Sequence, residues 1–174
     1  MSISHRTSEV SSHTGGGTEP THSRATTSRQ GAGVDTQTAA YAVFALRIAL
    51  GVVFIAHGLL KYFTFTLPGT AAFFVAHGFP GWTAYPVFAA ELIGGAALVT
   101  GVYARWVALA LVPVLFGAIT VSWPNGWSFT APNGGWEYVA FLIAADLALV
   151  GLGDGAWALR RSWSYENLSR RTTS

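Results

Sequence analysis

The sequence predicts an all-α integral membrane protein: a four-helix bundle with a short interfacial helix between helices 1 and 2. Just over half of its 174 residues are hydrophobic and only a tenth are charged, whereas about a quarter are charged in a typical soluble domain. The apolar residues also form runs close to the 20 or so that a helix needs to cross a bilayer about 30 Å thick. Both observations predict that the chain is surrounded by lipid.

The first 38 residues are rich in Ser, Thr and Gly and show no apolar periodicity. Such a segment buries too little surface to offset the entropy of ordering, so residues 1–38 are predicted to be a disordered cytoplasmic tail. It contains His5, His13 and His22, which we expect to be solvated. The apolar run begins only at Ala39 and is too long for a secretory signal, which predicts a retained membrane helix.

The transmembrane domain is predicted to cover residues 39–159. Its four membrane helices are expected at about 39–63, 85–103, 105–123 and 136–152. The turn-forming sequence LPG ends the first of them. A very short connection makes the second and third helices antiparallel neighbours.

Two aromatic segments connect these helices. Residues 70–82, TAAFFVAHGFPGW, are too few to cross the bilayer and suit a short helix at its interface. The later segment PNGWSFTAPNGG is typical of a turn-rich loop.

The distribution of basic residues predicts the orientation. Five arginines flank one side of the predicted helices, namely Arg24, Arg29, Arg105, Arg160 and Arg161, and the other side has only Lys61. The positive-inside rule then places both termini, including a basic tail at residues 160–174, in the cytoplasm. We expect a multi-pass membrane protein.

Several charged groups lie at membrane depth, where an exposed charge costs about 2.5 to 3.5 kcal/mol on insertion scales. Arg47, Glu91 and Asp146 lie deep, and three more titratable groups, His57, Lys61 and Glu137, lie nearer the outer boundary. Such groups need partners within the bundle.

Helical rise allows these groups to be paired by depth. The expected pairs are His57 with Glu91, Lys61 with Glu137, and Arg47 with either Asp146 or Glu91. His57, Lys61 and Glu91 then form a polar pocket near the outer surface, and they are the candidate catalytic residues. The alternative is that these charges only fix the register of the helices.

The absence of cysteine excludes disulfides, thiolate nucleophiles and Cys-ligated metal centres. No metal site is predicted. Most of the basic residues lie in the two tails, and none form a stripe interleaved with aromatic residues, so nucleic acid is not an expected partner.

Several motifs resemble the DoxX family of small four-helix bacterial membrane proteins. They are RIALGVVFIAHGLLKYF, FFVAHGFPGW, ELIGGAALVTGVYAR, PNGW with NGGWEY, and GLGDGAWAL. The resemblance extends over about residues 42–159. Two positions depart from the family: Ser122 and Trp123 replace a histidine that members often carry, and Ala158 to Arg160 replace a frequent Ser-Leu-Asp.

The resemblance implies a membrane oxidoreductase or its quinone-interacting subunit, linked to quinone, catechol or thiosulfate metabolism or to oxidative stress. Quinone is the cofactor that this implies. His57, Lys61 and Glu91 would supply hydrogen bonds and a proton route beneath an aromatic lid of Phe73, Phe74 and Trp82. Two further candidate cofactor-binding residues are Arg47 and Glu137.

Two other functions fit the same sequence. The chain could be a non-enzymatic scaffold that anchors a soluble redox or stress-response enzyme. It could also be a small-solute or proton-coupled transporter, which would need an oligomer because one four-helix unit is small for alternating access. The expected partners are therefore the lipid bilayer, a soluble redox enzyme and further copies of the chain.

Overall fold

The computed structural model describes residues 35–163, without the side chain of Gln37. Within these residues the structure has five α-helices and no β-strands, which confirms the predicted all-α class. Most of the two predicted tails, including His5, His13 and His22, lies outside the described residues.

The helices follow the predicted order. They are α1 (Thr36–Phe63), α2 (Leu67–Ala76), α3 (Ala84–Thr100), α4 (Ala104–Ser122) and α5 (Glu137–Leu152). Single 3-10 turns at Gly81–Thr83 and Trp123–Asn125 precede α3 and follow α4.

Three segments are long and apolar enough to cross a membrane: Thr38–Phe63, Gly81–Thr100 and Ala104–Asn125. The fourth predicted membrane helix corresponds to α5, whose 16 residues extend about 24 Å at the α-helical rise. Large apolar side chains cover the outside of the bundle; Ile93, Phe116 and Phe141 are all more than half exposed. Such a surface fits acyl chains and not water.

The sequence LPG does not form the turn that ends the first helix. Instead, α1 ends at Phe63, and Leu67 and Pro68 begin α2. Proline is favoured in the first turn of a helix because that turn has no intrahelical use for its N–H. Thr66 caps α2 by accepting a hydrogen bond from the N–H of Gly69 at 3.2 Å.

The bundle is built from two closely packed helix pairs, α1 with α3 and α4 with α5. Their buried core consists of Val43, Leu50, Phe54, Leu98, Ala104, Ala108, Leu111, Leu115, Leu142 and Leu149. The start of α1, the α3–α4 turn and the residues after α5 lie at one end of the bundle, since Ala156 N–H donates to Ala40 O and Arg160 N–H to Gly101 O. Lys61 and the loop before α5 therefore lie at the other end.

Candidate functional site

An ion pair between α1 and α3 is the centre of the candidate site. The ammonium group of Lys61 donates to Oε1 of Glu91 at 2.7 Å and to Oε2 at 2.8 Å. The two side chains are only 17% and 6% exposed. Gly58, one turn before Lys61, allows this approach, because a Cβ there would lie 2.9 Å from Cδ2 of Leu92 and 3.5 Å from Cβ of Glu91.

The predicted pairing of Lys61 with Glu137 is therefore wrong. Helical side chains lean toward the N-terminus of their helix, so the long side chain of Lys61 reaches back from the end of α1 to the depth of Glu91. Glu137 instead accepts a hydrogen bond at 3.3 Å from the N–H of Phe129 in the loop before α5.

His57 is oriented by its own helix. Its Nδ1 lies 2.8 Å from the carbonyl oxygen of Val53. Because a carbonyl only accepts, Nδ1 carries the proton in this contact. The ring stacks on Tyr138 of α5 with centroids 6.3 Å apart, whereas Glu91, its predicted partner, forms its ion pair with Lys61.

A cavity of about 280 Å³ lies beside the Lys61–Glu91 pair. Phe73 and Phe74 of α2 and Phe79 after it form one side. Its other walls come from Thr83 just before α3, from Val87 in α3, and from five residues of α4: Pro113, Val114, Gly117, Ala118 and Val121. We call it the Lys61–Glu91 cavity.

A neighbouring cavity of about 420 Å³ shares Lys61, Phe73 and Phe74 with the first and adds His57 and Thr70. The structure thus brings the three candidate catalytic residues, His57, Lys61 and Glu91, to two adjoining cavities. The two phenylalanines and Lys61 form their common boundary.

Three predicted site residues lie elsewhere. Trp82 is 69% exposed and lines neither cavity. Glu137 lines a separate open pocket with Phe129 and Tyr138, and Arg47 lies at the opposite end of the bundle. The aromatic side of the cavity therefore consists of Phe73 and Phe74 with Phe79, which was recognised in the sequence only as an interfacial residue.

Arg47 does not pair with Asp146 or Glu91, contrary to both predicted alternatives. Its Nη1 donates to the carbonyl oxygen of Asp154 at 2.9 Å. Its Nη2 makes longer contacts with the carbonyls of Ala156 and Trp157. The guanidinium also lies 5.3 Å from the ring centroid of Phe44. Arg47 therefore holds the Gly-rich segment after α5 and does not belong to the cavity.

Asp146 is fully buried on the same face of α5 as Leu142 and Leu149. Among residues 35–163, neither of its carboxyl oxygens has a hydrogen-bond partner. Full burial within one chain places Asp146 in an internal helix contact.

The walls on α3 and α4 were missed at the sequence level. Thr83, Val87 and Glu91 recur every four residues, and Val114, Ala118 and Val121 recur at intervals of four and three. These are spacings of a single helix face, yet apolar residues at helical spacing are also typical of core. No cluster of three or more His, Asp or Glu side chains within the described part of the chain is arranged to hold a metal ion.

Two comparisons with known proteins relate this chain to the same family of proteins. The family model described as DoxX matches residues 42–123. A protein of Bacillus subtilis (strain 168) named "Putative oxidoreductase CatD" is 35% identical over 109 residues, which cover 61% of this chain and 76% of that protein. No solved structure matches the chain.

Proposed function

Because the chain belongs to the DoxX family of membrane proteins, we propose that it is a membrane redox protein whose Lys61–Glu91 cavity binds the head group of a quinone or quinol. The observation that carries this proposal is one buried ion pair at the wall of an otherwise apolar, aromatic-lined cavity. Apolar walls with a few placed polar groups are characteristic of sites for small organic ligands.

The size of the cavity suits such a ring. A cavity of about 150 Å³ is sufficient to bind benzene, and this one measures about 280 Å³. A substituted monocyclic or bicyclic ring therefore fits between the phenylalanines and α4. Aromatic side chains favour offset or edge-on contact with a planar ring.

The ion pair retains hydrogen-bonding capacity for a ligand. An ammonium group has three donors, and Glu91 accepts two of them. The third can donate to a carbonyl oxygen of the ring, and a free lone pair of Glu91 can accept from a ring hydroxyl. A bound quinone supplies the electron-accepting chemistry; Lys61 and Glu91 orient the head group and hold a proton beside it.

The test is retention of quinone by protein purified in mild detergent, with Lys61→Met and Glu91→Gln as variants. An amide at position 91 keeps the shape of the side chain and still accepts from Lys61. We expect the wild-type protein to retain quinone and both variants to lose at least nine-tenths of it. Glu137→Gln, at the same end of the bundle but outside the cavity, is the matched control and should retain the wild-type amount.

A wild-type protein that retains no added quinone, or variants that retain it fully, would contradict this proposal. The second candidate, a non-enzymatic scaffold, is favoured by the fact that the Lys61–Glu91 pair is already complete without a ligand. The scaffold hypothesis predicts that Glu91→Gln lowers the unfolding temperature or the amount of assembled protein without any change in quinone retention.

We also propose that the protein lies in the bacterial plasma membrane with both termini in the cytoplasm. Arg105 and Arg160 support this orientation because they belong to the end of the bundle at which α1 begins. The absence of native cysteine permits single-cysteine labelling without background. A membrane-impermeant maleimide should label Ser128→Cys in intact cells and should not label Asp35→Cys.

For the redox reaction itself, we propose that a soluble redox enzyme is a partner that exchanges electrons with the bound quinone. Further copies of the chain are a second proposed partner. Crosslinking in intact membranes, followed by identification of the crosslinked species, distinguishes a homo-oligomer from a complex with another protein. Recovery of the monomer alone would argue against both.

A further inference from the structure

We propose that the Lys61–Glu91 cavity opens sideways into the bilayer between α3 and α4, and that its ligand therefore carries a long apolar chain. This inference rests on the proposed function and extends it, because it separates chain-bearing, lipid-soluble quinones from small water-soluble ring compounds.

The first support is the course of the cavity walls. On the α3 side the wall consists of Thr83, which directly precedes α3, and of Val87 and Glu91 in α3; these residues span about 12 Å at 1.5 Å per residue. On α4 the facing wall runs from Pro113 to Val121. These two helices are joined tightly at their other end, through residues 101–103. The cavity is therefore a groove in the open half of the α3–α4 hairpin.

The second support is the surroundings of the opening. Pro113 and Ala118, both wall residues, are exposed on the outside of the bundle. They belong to Ala104–Asn125, a segment with the length and composition of a membrane span. An opening at these residues meets acyl chains. The phenylalanines of α2 cover a different side of the cavity.

The positions of the polar side chains and the size of the cavity also support a ligand with an apolar chain. Apart from Lys61 and Glu91, Thr83 has the only polar side chain in the walls, and its hydroxyl donates to Pro80 O at 2.6 Å. Polar recognition is thus concentrated at one end of the groove. The cavity volume of about 280 Å³ is large enough for a ring but too small for an isoprenoid chain as well. The isoprenoid chain of such a ligand must therefore leave through the opening.

The protein contains a matched pair of glycines that test this proposal. A Cβ added at Gly117 or at Gly151 would have no neighbouring atom within 4 Å, so a larger side chain is accommodated at both. Gly117 lines the cavity, whereas Gly151 is exposed on α5. Gly117→Leu should fill the groove and reduce retention of a chain-bearing naphthoquinone at least tenfold. Gly151→Leu should leave retention unchanged.

A second measurement locates the apolar chain of the bound ligand directly. A naphthoquinone with a diazirine in the first unit of its apolar chain is bound to the wild-type protein and photolysed, and the labelled residues are identified by mass spectrometry. We expect labels on α4 between Pro113 and Val121. This readout does not depend on the folding of any variant.

Labels confined to α2, or undiminished retention by Gly117→Leu, would overturn sideways opening while leaving quinone binding intact. A naphthoquinone that lacks the apolar chain is the competitor, at equal mole fraction in the detergent micelle. If it competes for the cavity as well as the chain-bearing form does, the proposal that the ligand needs an apolar chain is overturned, and quinone binding again stands. If the wild-type protein retains neither compound, the proposed function itself fails.

Discussion

Lys61 and Arg47 show how single residues determine what a charged group does inside this bundle. Lys61 lies in the last turn of α1, and its flexible side chain returns toward the middle of the helix to meet Glu91. Arg47 lies near the other end and uses its planar guanidinium to contact backbone carbonyls. In both cases the reach and shape of the side chain select the partner.

For these single residues, we predict that substitutions of Lys61 and Glu91 have strongly coupled effects on the free energy of unfolding. Glu91→Leu leaves the ammonium of Lys61 largely buried without a counter-charge and should cost about 3 kcal/mol, as for one partner removed from a buried ion pair. The double variant Lys61→Met/Glu91→Leu should recover at least half of that loss, because apolar replacements need no desolvation.

Unfolding free energies of the single and double variants in one detergent give the coupling through a double-mutant cycle. Glu137→Ala is the control, since its carboxylate accepts a hydrogen bond at 3.3 Å from the N–H of Phe129 in the loop. Additive losses in the double variant would show that Lys61 and Glu91 do not act as a pair.

At the scale of elements, the contact between α1 and α3 depends on two facing glycines. A Cβ on Gly51 would lie 2.7 Å from the carbonyl oxygen of Gly95, and a Cβ on Gly95 would lie 2.8 Å from that of Gly51. Small residues permit such close approach of membrane helices, whose association relies on van der Waals packing and hydrogen bonds. The same approach brings Glu91 within reach of Lys61.

We therefore expect Gly51→Ala to destabilise the protein. Replacing glycine by alanine within a helix normally stabilises it by up to about 1 kcal/mol. Here the added methyl group should cost a net 1 to 3 kcal/mol or so, as for an overpacked core. Gly151→Ala in α5, where the methyl meets nothing within 4 Å, should be neutral or stabilising. Equal unfolding temperatures of the two variants would contradict the proposed role of close packing.

At the scale of the whole molecule, residues 153–162 close one end of the bundle. Arg160 exchanges backbone hydrogen bonds with Gly101 and Tyr103. The carboxylate of Asp154 accepts from the N–H of Arg105 at the start of α4 and from the N–H and hydroxyl of Ser162. Gly101, at φ 72°, leaves the space that the guanidinium of Arg47 occupies. This C-terminal segment therefore joins α1, α3 and α4.

Asp154→Ala should release this segment without unfolding the bundle. We expect amide hydrogen exchange at Tyr103 and Arg160 to accelerate at least tenfold, while amides in the middle of α1 and α3 keep their protection. Glu137→Ala should loosen only the loop at the opposite end. Unchanged exchange at Arg160 in Asp154→Ala would show that the backbone contacts alone hold the segment.

The sequence predicted much of this fold but little of its pairing. Helix number, helix type and the interfacial helix follow from apolar run length and turn residues, which are local properties. Five of the candidate site residues lie at adjoining cavities, namely His57, Lys61, Glu91, Phe73 and Phe74. Trp82, Arg47 and Glu137 do not, because the position of a side chain along its helix does not reveal which neighbour faces it.

By itself, the sequence determined that this chain forms apolar helices with a few charges among them, since a backbone in lipid must satisfy its hydrogen bonds within each segment. Only the tertiary structure decided that Lys61 meets Glu91, that Arg47 holds the segment after α5, and that α3 and α4 enclose a groove. These contacts join residues far apart in the chain. They depend on helix approach, side-chain reach and backbone carbonyls, which local periodicity does not encode.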